Sequence, residues 1–173
     1  LLEIEGGSPT VKNSTFKTGS LALEIKESSA SIENNAFEDF QYDFGTIFVE
    51  SSYPSFQGNS FKNNKINGIT LTGDLEKDWT IGPNQTFLVR ALSLKQGATL
   101  KVKPGTILKF FKNGSLTSQG ALQIGEEGKA PVVFTSVADD EYGGDTNNDG
   151  NQTSPKTNDW QGINIFDAQN SFI

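Results

Sequence analysis

The chain has 173 residues, 34% of them hydrophobic, with 21 Asp and Glu against 14 Lys and Arg and a net charge of −7. With Arg90 as the sole arginine, this balance argues against nucleic acid or an anionic membrane as partner, since either calls for a basic face. The absence of Cys excludes a disulfide framework and thiolate metal sites, and no apolar run approaches the ~18 residues of a membrane span.

Residues 1–72 repeat. Leu2-Glu3-Ile4 recurs as Leu23-Glu24-Ile25 and as Ile47-Phe48-Val49. Each triplet is followed by a second apolar position (Val11, Ile32, Phe56) and then by a phenylalanine (Phe16, Phe37, Phe61). The step is 21 residues from Leu2 to Leu23 and 24 from Leu23 to Ile47, and Ile69 and Leu71 begin a fourth copy. Short period-two alternations separated by Ser, Gly and Asn corners predict the coils of a β-solenoid. Stacking at about 4.8 Å per coil would place the three phenylalanines in one internal column. Ser14, Asn35 and Asn59 also fall at one repeat position, where they would form a polar ladder or simply supply left-handed turns. The chain opens on Leu1-Leu2 and contains no Met, which reads as a piece of a longer polypeptide.

Residues 73–136 break the period without leaving the β class. Short strands are expected at 86–88, 91–94, 99–102, 107–111, 115–117, 121–124 and 132–135, punctuated by Gly97, Pro104-Gly105, Asn113-Gly114 and Gly120. Lys101, Lys103 and Lys109 alternate along these strands and read as outward, solubilising side chains.

Residues 137–159 carry almost nothing to bury and predict a long loop projecting from one corner. Within it, Asp145-Thr-Asn147-Asn-Asp149-Gly150 matches the opening of a calcium loop. The first, third and fifth side chains converge there, and glycine permits the sharp turn. Asn151 would add a backbone carbonyl at the seventh position, and Thr153 occupies the ninth. Lys156 stands where a bidentate Glu is usual, so Asp139, Asp140, Glu141 or Asp159 would have to complete the shell. The solenoid resumes at Trp160, and Asn170-Ser171-Phe172-Ile173 stop within a coil. The whole chain is thus expected to be one domain over residues 1–173. It would be an all-β solenoid of about seven coils with one inserted loop.

The blocks Leu100-Lys-Val-Lys-Pro-Gly-Thr-Ile-Leu-Lys-Phe110, Gly114-Ser-Leu-Thr-Ser-Gln-Gly-Ala-Leu122, Ala130-Pro-Val-Val-Phe-Thr-Ser136 and Asp159-Trp-Gln-Gly-Ile163 resemble a known type. They are similar to right-handed parallel β-helix proteins of the pectate-lyase-like superfamily, in particular bacterial surface or secreted ones. The resemblance covers about residues 86–166 closely, and residues 1–72 match only the generic coil. It implies a secreted or cell-surface location and leaves the activity open, because one fold hosts lyases, hydrolases, adhesins and scaffolds.

Catalytic residues are not evident. With no His and no Cys the usual nucleophile and base pairs are missing, and Asp139-Asp140 reads as metal ligand or solvated charge before it reads as a glycosidase pair. Tyr42, Tyr53 and Trp79 are candidate sugar-stacking rings, whereas Trp160 is expected to pack inward. Asn13, Asn84, Asn113 and Asn151 begin N-glycosylation patterns that read as chance matches. The leading expectation is a non-enzymatic extracellular module with calcium as cofactor, acting as a stalk, adhesin or polysaccharide-contacting scaffold. The alternatives are a fragment of a calcium-dependent polysaccharide lyase or glycoside hydrolase, and a fibre subunit that associates end to end with other copies or with flanking domains.

Overall fold

The computed structural model describes residues 1–83, 85–166, 171 and 172. The first coil comprises β1 (Leu2–Glu5), β2 (Thr10–Lys12) and β3 (Thr15–Gly19), and the second β4 (Leu23–Lys26), β5 (Ser31–Glu33) and β6 (Ala36–Phe40). The third comprises β7 (Ile47–Glu50), β8 (Ser55–Gln57) and β9 (Ser60–Lys62). Later coils have two strands: β10 (Ile69–Leu75) with β11 (Trp79–Ile81), β12 (Thr86–Leu94) with β13 (Thr99–Val102), and β14 (Ile107–Ser118) with β15 (Ala121–Ile124). The last strands are β16 (Val133–Ser136) and β17 (Gly162–Ile165). This makes about six turns of parallel β-solenoid, close to the seven expected.

One 8-stranded parallel sheet runs β1-β4-β7-β10-β12-β14-β16, with β17 also on β14, and three 3-stranded sheets form the other walls. The repeat read from sequence is the register itself: Leu2, Leu23, Ile47, Ile69, Phe87, Leu108 and Phe134 pair in succession. From Leu23 onward, side chains at these positions, and those two residues on (Ile4, Ile25, Val49, Leu71, Val89, Phe110), face the core, whereas Leu2 in the first coil is exposed. Phe37 stacks between Phe16 and Phe61 at 5.1 and 5.5 Å.

The polar ladder forms at the expected repeat position. Asn35 Nδ2 donates to Asn59 Oδ1 at 3.2 Å, and Asn59 Nδ2 donates to the Ile32 carbonyl at 2.7 Å. The left-handed turns fall one residue earlier, at Asn13, Asn34 and Gly58, so the two readings describe adjacent positions.

The outer face of the large sheet is also covered. Across β4, β7, β10, β12, β14 and β16 the outward row is Glu24, Phe48, Thr70, Leu88, Lys109 and Thr135. Phe48, Thr70, Leu88 and Lys109 in that row are buried. Two segments lie over them. Residues 41–46 close on Thr70, whose hydroxyl donates to the Phe44 carbonyl. The acidic loop closes on Lys109.

The loop enters at a place where the sheet is interrupted in every late coil. Thr72 faces Arg90 and Ala91, Arg90 faces residues 111–114, and residues 111–114 face residues 137–161. The strands expected at 86–88 and 91–94 are therefore one bulged strand, as are those at 107–111 and 115–117. Because β16 and β17 both pair with β14, the chain leaves and rejoins the same edge.

Candidate functional site

β14 holds Lys109 rigidly on the sheet between Leu88 and Thr135. Its side chain is fully buried, contrary to the expectation of an outward solubilising lysine. Outward it is, but the loop lies on top of it. Its Nζ donates to the carbonyls of Asp139 (2.6 Å) and Gly144 (2.8 Å) and to Thr146 Oγ1 (2.6 Å). Three acceptors match the three protons of an ammonium; a neutral amine would turn a lone pair toward one of the oxygens. Burial pulls the Lys109 pKa below the ordinary lysine range, and the charges of Asp139, Asp140 and Asp145 oppose that.

The loop's first half is thus docked rather than projecting. The Asn67 amide donates to the Thr146 carbonyl at 2.7 Å. Gly143, at φ 75°, presses on the sheet so closely that a Cβ would lie 2.9 Å from Thr86 Oγ1. Asp139 is buried beneath it, accepting from Thr135 Oγ1 and, at 3.0 Å, from the Glu141 amide.

The calcium-loop motif makes a compact turn. Asp145 accepts from the amides of Asp149 (3.0 Å) and Gly150 (2.9 Å). Asp149 accepts from the Gln152 amide (2.8 Å), from Asn147 Nδ2 (2.7 Å) and from the Thr153 hydroxyl. Carboxylate oxygens of Asp140, Asp145 and Asp149 all lie within 4.8 Å of one another. Oxygens bound to one calcium ion at 2.3–2.6 Å are at most ~5 Å apart, so the spacing fits a shared ion.

Both carboxylate oxygens of Asp140 and the Oδ1 of Asn147 are buried with no hydrogen-bond donor among the described residues. Acceptors buried in this way are uncommon and costly. Burial, followed by the charges of Asp145 and Asp149, holds the Asp140 carboxyl above the usual range. The Thr153 hydroxyl, helped by the Gln152 amide and Asn147, holds Asp149 below it. A cation among these oxygens would relieve both the repulsion and the missing donors, and an all-oxygen donor set suits a hard ion.

The expected ligands therefore divide. Asp140, Asp145 and Asp149 come together, with Asn147 beside Asp149. Asp139 does not join them, because its carboxylate is spent on Thr135 and Glu141. Asp159 does not either: its Oδ2 accepts from the Lys156 amide at 2.9 Å and its carbonyl from the Asn113 amide at 3.2 Å, closing the loop's return. Asn151 is exposed, at φ 66°. Lys109 and Asn67 were missed. The only sequence signal for Lys109 is its place inside the apolar run Ile107-Leu108-Lys109-Phe110-Phe111.

The aromatic candidates divide as well. Trp79 is not a surface platform: it is 6% exposed, with Nε1 donating to the Pro54 carbonyl at 3.1 Å. Tyr53 is half-buried against the Trp79 edge, its hydroxyl accepting from the Glu76 amide at 2.8 Å and Lys77 lying over its ring. Tyr42 is half-buried beside Phe44 and Phe48, and Arg90 stacks on Phe44 at 3.9 Å. Trp160 packs on Phe110 at 4.2 Å, as expected. A groove of about 410 Å³ opens beside the loop between Phe61, Asn67, Thr86, Ile107 and Asp145. Asn84, Asn170 and Ile173, which entered the sequence reading, lie outside the described residues.

Stacked parallel coils with internal Phe and Asn columns define the class, a parallel β-solenoid. Residues 2–121 match the family described as a right handed beta helix region, and the chain belongs to that family. The matched span stops short of the acidic loop. No curated protein and no solved structure matches the chain.

Proposed function

We propose that this chain is a non-catalytic β-helix module of a secreted or cell-surface protein, with one calcium ion in its acidic loop held by Asp140, Asp145, Asn147 and Asp149. The observation that carries the reading is the set of donorless buried oxygens on Asp140 and Asn147, beside two further carboxylates. Calcium would supply charge compensation and coordination there and no chemistry on a substrate. A stalk, adhesive or glycan-contacting role fits a stack of coils whose core is purely structural. Any sugar contact would fall to the groove beside Phe61 or to the half-exposed Tyr42 and Tyr53. The lyase or hydrolase alternative draws little support, since the chain has no His or Cys and Lys109 spends all three protons on the loop.

Thermal unfolding tests the ion. At about a hundredfold excess over its Kd, a ligand of the native state adds roughly 2.7 kcal/mol, which for a chain of this size raises Tm by roughly 5–10 °C. Calcium is expected to give such a rise relative to EGTA. An unchanged Tm in both buffers would remove calcium from the account.

A further inference from the structure

Among the described residues, Lys109 and Asp139 are the charged ones buried as whole residues, and the Lys109 ammonium meets the Asp139 carbonyl under the loop. Two of the three acceptors of Lys109 are main-chain carbonyls on either side of the Gly143 bend, so one ammonium ties together both arms of that bend. The third, Thr146, is also tied to the solenoid through its carbonyl and the Asn67 amide. Beyond it the character changes. Residues 150–158 are exposed throughout, and their hydrogen bonds with side chains stay within the loop, to Asp145, Asn147, Asp149 and Asp159.

We infer that Lys109 is a resident cation of the loop: its ammonium holds residues 139–146 closed against the sheet with or without a metal ion, and metal binding orders only residues 147–159. The loop then has one fixed cation, supplied by β14, and one exchangeable cation position. The fixed one sets the path of the chain through Asp140 and Asp145. Lys109 is a positioning residue that touches no ligand. The first half of the inference stands on Lys109 alone, and the second half rests on the calcium reading.

Each half of the loop carries its own protease site. Tyr142 is 44% exposed in the proximal half, and Lys156 is exposed in the distal half. Cleavage needs local opening of the chain around the bond. Chymotrypsin and trypsin digestion, in calcium and in EGTA, should be followed by mass spectrometry of the fragments beginning at Gly143 and Thr157.

For the wild type in EGTA, the Thr157 fragment is expected quickly and the Gly143 fragment slowly. Calcium should slow the first tenfold or more and leave the second unchanged. Lys109→Met should release the Gly143 fragment at least tenfold faster in both buffers. Thr146→Val, which removes one acceptor and keeps the volume, should do so to a lesser degree with an unaltered far-UV spectrum. The Thr146 variant and the wild type carry the test if the Lys109 variant does not fold.

The latch is overturned if wild-type protein in EGTA releases the Gly143 fragment as fast as a denatured chain, or if calcium protects Tyr142 along with Lys156. Unchanged cleavage at Lys156 with a resistant Tyr142 would sink the calcium reading and leave the Lys109 latch standing.

Discussion

A buried carboxylate is tolerated when its oxygens find donors, a cation or a proton, and Asp140 has no donor among the described residues. Burial and the charges of Asp145 and Asp149 already oppose its ionisation. Asp140→Asn is therefore expected to leave Tm in EGTA unchanged or higher and to abolish the calcium-induced rise; a variant that keeps the full rise would exclude Asp140 as a ligand. At this scale the sequence was partly legible. Asp145, Asn147 and Asp149 announce themselves by spacing, because a six-residue turn is local. Which acid completes the set depends on how the rest of the loop is folded, and Asp139, Asp140 and Asp159 look alike in sequence. Asp139 is diverted by Thr135 on the outward face of β16, and no local pattern shows that. Lys109 was misread for a related reason. Strand alternation correctly points it outward, but it does not show that a segment thirty residues later returns to cover it.

Among the elements, β14 and the loop that leaves and rejoins its edge explain most of the site. The interruption of the large sheet begins as a one-against-two bulge beside Thr72 and ends as the excursion 137–161. A bulge at a sheet rim is a natural place to insert chain, because the ladder is already broken there. The loop's contact with the sheet depends on Gly143, which combines a left-handed backbone with close approach to Thr86 and Ile107. Gly143→Ala should lift the proximal half. The left-handed conformation alone costs a non-glycine residue about 1–2 kcal/mol, and the contact with Thr86 adds to it. Urea unfolding should show the loss, and an unchanged midpoint would mean that the loop does not press on the sheet. The strands themselves were legible where the repeat was regular, with Leu2, Leu23 and Ile47 falling in register as read. Strand merging at β12 and β14 was not, since a bulge residue such as Arg90 resembles a break. The continuous runs Ile47-Phe48-Val49 and Phe87-Leu88-Val89 carried an unused signal: strands apolar at every position are buried on both faces.

For the molecule as a whole, the coils form a quasi-one-dimensional stack in which each rests on its neighbours. The family match covers residues 2–121 and assigns no task to any side chain. Trp79 illustrates the limit of composition at this scale. An aromatic in a corner segment is a fair candidate for a sugar platform, yet its indole is buried with its N–H bonded to the preceding coil. What distinguishes this chain from a plain stack is the segment that folds over the sheet and brings together Asp140, Asp145 and Asp149. Isothermal titration of the metal-stripped protein with calcium tests that claim most directly. Saturable binding of one ion per chain is expected, lost in Asp149→Asn. No heat above dilution, or undiminished binding in that variant, would contradict it.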